Sequence, residues 1–159
     1  MEKAALKEHR RHSTADKPFS YYISNIPEYF PNAPMHWHKE FELNVILEGE
    51  GDFVTGDIHF TAYKGDIVRT PPDMLHAVYQ HDDKRCVYDT LDLDGSMLGS
   101  RDNGRAADAF IAPLISGAYS IETHITPEHC YYSELLTTAE NMISAAKGDT
   151  PLLDMLIKS

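Results

Sequence analysis

Four residues of this chain could together hold a divalent metal ion: His36, His38 and Glu42 in one segment, and His76 in a later one. Imidazole nitrogens and a carboxylate oxygen are ligands that zinc, nickel, iron and manganese accept. Side chains of an extended strand alternate between its two faces, so the three residues of the first segment would project to one side. A neighbouring strand could then bring in His76. The spacing predicts a divalent metal site, and the alternative is a polar rim of a barrel that holds no ion.

The strand that carries these ligands also predicts a binding pocket. Two sets of residues alternate along it, an apolar set and a polar one: Phe41, Leu43, Val45 and Leu47 against Glu42, Asn44, Ile46 and Glu48. Solvent exposure is the alternative for the polar face, but metal-type ligands that share this face would have to converge inside a barrel, whose mouth is a usual ligand site. The effector-binding residues predicted on this basis are Glu40, Asn44, Ile46, Val78 and Gln80.

Trp37 is added to the effector-binding set on a separate argument. It alternates to the other side of its strand, which favours packing in the core. A single tryptophan beside a pocket could also stack on a sugar ring, so both roles stay open.

Short strands separated by turns position these residues. Tyrosine and phenylalanine concentrate in 19–23, three prolines then break 27–34 into a loop, and Gly56-Asp57 is a good hairpin turn. Further strands are predicted at 36–47, 52–55, 58–63, 67–70, 75–80 and 86–93. Strands at this density indicate an antiparallel sandwich or barrel rather than a parallel sheet with helical crossovers.

The pattern becomes helical after Gly95. A short helix is predicted at 106–110, and Thr126-Pro127-Glu128 is a helix start whose apolar stripe continues to Gly148. A further helix begins at Thr150 and is still in progress at Ser159, so we expect the natural polypeptide to be longer. Residues 1–18 are polar and are predicted to be a flexible arm with little to pack.

The metal-type residues resemble the two motifs of the cupin superfamily. The first is matched by His36, His38, Glu42 and Gly49, and the second by Gly65, Pro71 and His76. Asp73 stands where the pattern usually has glycine, and Gln80 where it usually has asparagine. The sequences of two segments, HWHKEFELNVILEGEG and YKGDIVRTPPDMLHAV, are more specifically similar to the amino-terminal sensor domain of AraC-type transcriptional regulators. This resemblance covers about residues 19–159.

The resemblance implies a cupin-type antiparallel β-barrel (jelly roll), mainly β, with C-terminal helices packed on it. The expected organisation is a flexible arm at 1–18, the barrel at 19–95, and 96–159 as additional strands and helices of the same domain, truncated before a DNA-binding domain. It also implies a small-molecule effector such as a sugar or related metabolite, an arm that closes over it, and a homodimer through the C-terminal helices. The alternative function is a stand-alone metal-dependent cupin enzyme, a dioxygenase or an isomerase.

Composition fits this interpretation. The chain has 159 residues, enough for one domain with a core of its own, and its net charge of −11 disfavours nucleic-acid binding by this part of the protein. DNA is therefore expected to be bound only through the missing domain. No signal peptide or membrane-length apolar stretch is present in the sequence, and its two cysteines are expected to be free thiols in a reducing cytoplasm.

Overall fold

The fold is mainly antiparallel β. A computed structural model describes residues 3–14, 16–95 and 121–148. It has a short 3-10 helix at Lys3–Leu6, and its strands are β1 (Phe19–Ile26), β2 (Asn32–His36), β3 (Phe41–Thr55), β4 (Ile58–Tyr63), β5 (Ile67–Thr70), β6 (His76–Gln80), β7 (Cys86–Leu93) and β8 (His124–Ile125). The helix α1 (Tyr132–Lys147) follows β8. The prediction of a cupin-type β-fold with helical packing at its carboxyl end is confirmed.

The strands form two layers that share β3. Its first half pairs with β7 and β5, in a sheet ordered β1-β7-β3-β5-β8, and its second half pairs with β4 and β6, to which β2 adds. Each of these pairings is antiparallel. One 15-residue strand can serve both layers only if it bends in the middle, because a twisted sheet cannot turn a corner with a regular ladder.

Gly49 makes this bend. The register of β3 on β7 shifts between Ile46 and Glu48, and Gly49 follows with a φ of +72°. A β-carbon at this position would lie 1.7 Å from the carbonyl oxygen of Arg85. Only glycine fits both the positive φ and the close approach of the Arg85 carbonyl, which lies just before β7.

Two apolar clusters hold the layers together. One lies between the first sheet and α1, and it includes Leu43 and Val45 from β3 with Met142 and Ile143 from the helix. The other fills the space between the two layers around Ile46, Phe53 and Val78. The predicted alternation of β3 is therefore confirmed, with its apolar face under the helix and its mixed face inside the barrel. Leu47 and Glu48 are the exceptions, because the side chains of both are exposed where this half of the strand ends.

Three local predictions are wrong. The segment 27–34 was expected to be a loop, but 32–36 form the edge strand β2, where Pro34 is tolerated because its nitrogen has no ladder bond to lose. The ligand strand does not run on from His36, because 37–40 interrupt it and β3 begins at Phe41. The helix expected at Pro127 begins at Tyr132, because the backbone N–H of Thr126 donates to His129 Nδ1 and closes a turn first.

The helices predicted at 106–110 and from Thr150 lie outside the described residues. No helix in the described part of the chain combines the length and apolar character needed to cross a membrane.

The arm packs more than its polar sequence suggests. Its backbone joins the barrel through Glu8, whose N–H donates to the carbonyl oxygen of Trp37 at 3.0 Å. His12 is 6% exposed, and its carbonyl oxygen accepts a bond from the Ser20 hydroxyl on β1. The expectation that residues 1–18 have little to pack is wrong for His12, because its ring is held by the buried carboxylate of Asp92 in the barrel and by Glu8 of the arm.

Candidate functional site

Three histidines and a glutamate meet at the mouth of the barrel. One ring nitrogen from each of His36, His38 and His76 lies within 4.8 Å of those of the other two. The Oε2 atom of Glu42 lies 3.3 Å from His38 Nε2 and 3.5 Å from His76 Nε2. Ligands bound at about 2.1 Å around one ion are separated from each other by about 3.0–3.4 Å, so this spacing suits a shared metal. The structure thus brings the three predicted histidines into one group, which Glu42 joins through its contacts with His38 and His76.

Backbone carbonyls orient two of the imidazoles. His36 Nδ1 donates to the carbonyl oxygen of Pro34 at 2.7 Å, and His76 Nδ1 donates to that of Met74 at 2.8 Å. A proton held on Nδ1 leaves Nε2 with a free lone pair. Metal-binding histidines usually have this arrangement, in which the second ring nitrogen is fixed by a carbonyl or carboxylate.

The carboxylate of Glu42 is positioned by a chain of hydrogen bonds across two strands. The hydroxyl of Thr90 on β7 donates to Asn44 Oδ1, and Asn44 Nδ2 donates to Glu42 Oε1, both at 2.7 Å. Because this chain uses Oε1, the other oxygen is left for the histidines. Asn44, predicted as an effector-binding residue, thus lines the cavity and also orients a predicted metal ligand.

Unpaired polar atoms concentrate at this place. Among the residues that the structure describes, the buried side-chain atoms without a hydrogen bond of good geometry are His12 Nδ1, His38 Nδ1, His76 Nε2 and Asp92 Oδ1, although His12 Nδ1 has an ion-pair contact with Asp92 Oδ2. All four belong to this site. A buried polar group without a partner is costly, and a cation bound beside Glu42 would satisfy the unpaired Nε2 of His76. The residues present therefore fit a divalent ion.

His12 and Asp92 extend the site toward the arm. Asp92 Oδ2 forms a close ion pair with His12 Nδ1 at 2.7 Å, and Glu8 Oε2 lies 2.8 Å from His12 Nε2. Asp92 is 1% exposed, and its other oxygen is 3.9 Å from His38 Nε2. The arm therefore supplies a cation to a buried carboxylate that lies beside the metal-type residues.

Electrostatics tie these groups together. Burial by itself would lower the pKa of His12, but hydrogen bonding and charge from Asp92 and Glu8 outweigh it and raise the pKa to about 11. Burial would raise the pKa of Glu42, yet the neighbouring His76 and His38 hold it well below its usual value. Burial and the charge of His76 lower the pKa of His36, which favours its neutral, metal-binding form. The site thus keeps its carboxylate ionised.

A cavity of about 500 Å³ opens beside the four residues. It combines hydroxyl, amide and charged groups with an apolar wall. Residues that line it include Arg10, His12, Tyr22, Ser24, Phe30, Ala33, Asn44, Val78, Tyr88, Thr90 and Asp92. Its size and mixed lining are those of a small-molecule site.

The six predicted effector-binding residues lie in different parts of the structure. Asn44 and Val78 line the cavity, whereas Ile46 lies in the apolar cluster below it. Glu40 faces away from the cavity because the 37–40 segment leaves the strand, and its carboxylate accepts from the Ser13 hydroxyl at 2.6 Å. Gln80 lies at the far end of β6, where its amide donates to the Lys84 carbonyl.

Trp37 does not line the cavity either. Its indole N–H donates to the carbonyl oxygen of Lys3, and the ammonium groups of Lys3 and Lys7 lie 5.4 and 5.3 Å from its ring centre. It packs against the arm rather than in the core or beside the cavity. Tyr22, Phe30 and Tyr88 are the phenylalanine and tyrosine side chains that line the cavity.

Asp73 keeps the turn that glycine usually makes before the last histidine. Its φ is +59°, in the left-handed region that aspartate tolerates better than most residues. Its N–H donates to the carbonyl oxygen of His38 at 2.8 Å. The turn therefore links the segments that carry His38 and His76.

Sequence reasoning missed Glu8, His12 and Asp92. A sequence signal existed for Asp92, which shares one face of β7 with Tyr88 and Thr90. An acidic side chain on a strand that is buried along its whole length needs a cationic or hydrogen-bonding partner. The arm residues carry no comparable signal, since the contact of His12 with Asp92 spans 80 positions of sequence and that of Glu8 with His36 spans 28.

Comparison with known proteins places the chain in a family. A family model described as "AraC-like ligand binding domain" matches residues 19–104, more than half of the chain. An uncharacterized HTH-type transcriptional regulator of Bacillus subtilis (strain 168), YdeC, is 27% identical over 89 residues, which are 55% of this chain and 31% of that protein. The chain thus spans about a third of the length of this curated relative.

Solved structures similar to the chain include proteins described as cupins. A cupin protein from Bacteroides fragilis is 20% identical, with a TM-score of 0.47, over 52% of this chain and 71% of that one. A Cupin 2 conserved barrel domain protein from Salinispora arenicola is 18% identical, with a TM-score of 0.43, over 70% of this chain and 81% of that one. From the barrel described above and the family match, we conclude that the chain belongs to the AraC-like ligand-binding domain family.

Proposed function

We propose that this domain senses a small effector for an AraC-type transcriptional regulator and that it binds the effector in the barrel cavity beside a divalent metal ion. The observation that carries the proposal is the adjacency of the cavity to the four convergent residues, since His36, Glu42 and His76 themselves line it. An effector in this cavity would touch the metal-type site and the arm at the same time.

The proposed metal ligands are His36, His38, Glu42 and His76, with zinc, nickel, iron or manganese as the ion. Support comes from the carbonyl bonds that leave Nε2 of His36 and His76 free, and from the unpaired buried Nε2 of His76. The ion would supply a Lewis-acidic anchor for an oxygen of the effector. The alternative is a network of ion pairs with no ion, in which a protonated histidine serves Glu42.

The proposed effector is a small molecule with several hydroxyl groups, such as a sugar or a related metabolite. Three short polar side chains, Ser24, Asn44 and Thr90, give the cavity donors and acceptors, and the Phe30 ring gives it an apolar wall. Sites that combine a few placed polar groups with aromatic surface orient ligands of this kind.

We further propose that the domain acts in the cytoplasm as a homodimer through its C-terminal helices, and that a DNA-binding module elsewhere in the full protein reads out the effector. The family match and the HTH-type relative support the regulatory context. The net charge of −11 argues against direct contact with DNA by this domain. A sedimentation experiment at tens of micromolar tests the dimer, and a monomer of the present chain contradicts it.

The central experiment measures metal binding and effector binding separately. Protein purified without chelator or added metal is analysed for its metal content, and its affinity for Zn²⁺ is measured by calorimetry in the parent and in His38→Ala. Effector binding is then screened by thermal shift with neutral monosaccharides and with small carboxylates. We expect about one ion per chain, loss of tight binding in His38→Ala, and a shift with one of the two probe classes.

A cavity variant separates the pocket from the metal centre. Ser24→Leu fills space between β1 and the cavity and should abolish the effector shift while Zn²⁺ binding persists, whereas Ser24→Ala should keep both. A parent protein with no stoichiometric ion contradicts the metal centre. A thermal shift that survives in Ser24→Leu contradicts the cavity as the effector site.

An enzyme with the same ligand set is the second candidate. A stand-alone metal-dependent cupin enzyme needs the open coordination position that three histidines and one carboxylate leave on the ion. Turnover of an effector-class molecule by the metal-loaded domain, lost in His76→Ala, favours the enzyme. Binding without turnover favours the sensor.

A further inference from the structure

The carboxylate of Glu8 lies at the solvent side of the four convergent residues. Its Oε2 is 3.6 Å from His36 Nε2, the nitrogen that the Pro34 carbonyl leaves free. Glu8 also forms a group with His12 and His38 in which one ligand atom from each lies within 4.8 Å of the others. The side chains of Glu8 and His36 are 29% and 22% exposed, against 3% for His38, so Glu8 stands between the solvent and the buried ligands.

We propose that Glu8 is a further metal ligand, supplied by the arm, that closes the solvent side of the centre until an effector with two donor oxygens replaces it. The inference rests on the metal centre proposed above. It assigns to the arm a direct role in the inner coordination of the ion.

The backbone holds Glu8 in place for this role. The Glu8 N–H donates to the Trp37 carbonyl at 3.0 Å, and the Trp37 N–H donates to the Leu6 carbonyl at 3.1 Å. These bonds pair the arm with the residue that follows His36. Because two backbone bonds fix its position, the Glu8 side chain needs little rearrangement to reach the ion.

Charge favours the same assignment. A divalent ion with neutral histidines and an ionised Glu42 carries a net charge of +1 in a largely buried site. The His12 cation beside the centre lies against the carboxylates of both Asp92 and Glu8, and Asp92 balances one of these two positive charges. Glu8 brings one negative charge and completes the balance, and a buried charge without a counter-charge is costly.

Coordination number favours it as well. Three imidazoles and one carboxylate fill four positions, while nickel, iron and manganese commonly accept five or six ligands. One carboxylate oxygen can occupy a remaining position, and a bidentate effector would offer two. Displacement of Glu8 then loosens the arm, and the effector can act as a signal because it favours the displaced arrangement over the docked one.

The test uses the whole chain with Co²⁺ as the probe ion. The variants are Glu8→Gln and the control Asp16→Asn, which removes an exposed acid from the same segment. Co²⁺ affinity is measured by calorimetry, and the number of ligands is followed in the visible absorption of the bound ion. Arm docking is followed by trypsin cleavage after Lys7, Arg10 and Arg11, as the ratio of rates with and without Co²⁺ in each variant.

We expect Glu8→Gln to bind Co²⁺ about ten-fold more weakly, with an altered absorption spectrum, and Asp16→Asn to match the parent. Co²⁺ should slow arm cleavage in the parent and in Asp16→Asn but not in Glu8→Gln. Addition of acetohydroxamate, a small bidentate oxygen ligand, should restore fast cleavage in the parent.

Two contrary results can be told apart. If the parent binds Co²⁺ and Glu8→Gln has the same affinity, spectrum and cleavage ratio, Glu8 is not a ligand and the inference fails while the metal centre stands. If the parent does not bind Co²⁺, the metal centre fails and the inference fails with it.

Discussion

Oε2 of Glu42 lies 3.5 Å from Nε2 of His76, although 34 positions separate the two residues in sequence. The contact joins the beginning of β3 in one sheet to the beginning of β6 in the other. Each residue is oriented from behind, Glu42 by Asn44 and His76 by the Met74 carbonyl. Two anchored groups that face each other without a hydrogen bond of good geometry are suited to hold a third group between them.

Metal binding should stabilise the fold through His76. A site that exists only in the folded chain adds about 2.7 kcal/mol to the free energy of unfolding when the free ion is at 100 times its dissociation constant. Zn²⁺ should therefore raise the midpoint of thermal unfolding of the parent but not that of His76→Ala. His59→Ala, which removes an exposed histidine on β4, is the control and should respond like the parent.

The His12 ring should stabilise the apo-protein through Asp92. Removal of His12 leaves a carboxylate that is 1% exposed without its cation, so His12→Ala should lower the free energy of unfolding by about 1–3 kcal/mol. Urea denaturation measures the change. His9→Ala, an exposed position of the same arm, should change it by less than about 0.5 kcal/mol. Equal effects of the two substitutions contradict a specific role for His12.

Gly49 should be the least replaceable glycine of the barrel. Gly49→Ala brings a β-carbon into the Arg85 carbonyl in addition to the cost of a positive φ, so a loss of more than about 3 kcal/mol is expected. Gly56→Ala is the comparison, because its φ of +59° is similar but its nearest neighbour is the flexible Met74 side chain at 2.9 Å. It should cost about 1–2 kcal/mol in the same urea experiment. A smaller loss at Gly49 than at Gly56 contradicts the bend as described.

Asp73 should accept glycine but not a β-branched residue. Its φ of +59° costs glycine nothing, so Asp73→Gly should change stability by less than about 1 kcal/mol, whereas Asp73→Val should lower it by about 1–2 kcal/mol. Asp83→Val, an exposed aspartate outside the positive-φ region, is the control. Because the turn carries His76, Asp73→Val should also weaken Zn²⁺ binding, and calorimetry checks this.

The two cysteines should differ in reactivity. Burial raises the pKa of the Cys86 thiol to about 12, and its side chain is inaccessible, whereas Cys130 is exposed. The thiolate is the reactive form. Iodoacetamide at pH 8 should therefore label one thiol per folded chain and two in urea, as counted by mass spectrometry. In Cys130→Ser the folded protein should take up no label, and rapid labelling of Cys86 contradicts its burial.

The sequence by itself determined the local features of this protein. Strand alternation along 41–46 predicted which side chains lie under the helix and which lie in the barrel, because the period of a strand is a property of its backbone. The HxHxxxE spacing and the later His76 predicted a convergence that the structure contains. Glycine and proline marked most of the turns, since their φ preferences act without tertiary help.

Tertiary structure decided what lies across the site. Nothing local links His12 to Asp92 or Glu8 to His36, because such pairs form only when the arm folds back on the barrel. The break at 37–40 likewise follows from the Trp37 contacts with the arm. Because of this break Glu40 points away from the cavity, whereas strict strand alternation would have placed it in the lining. Periodicity fixes the face on which a side chain projects, whereas the partner on that face is chosen by chain segments distant in sequence, where burial and charge outweigh local preference.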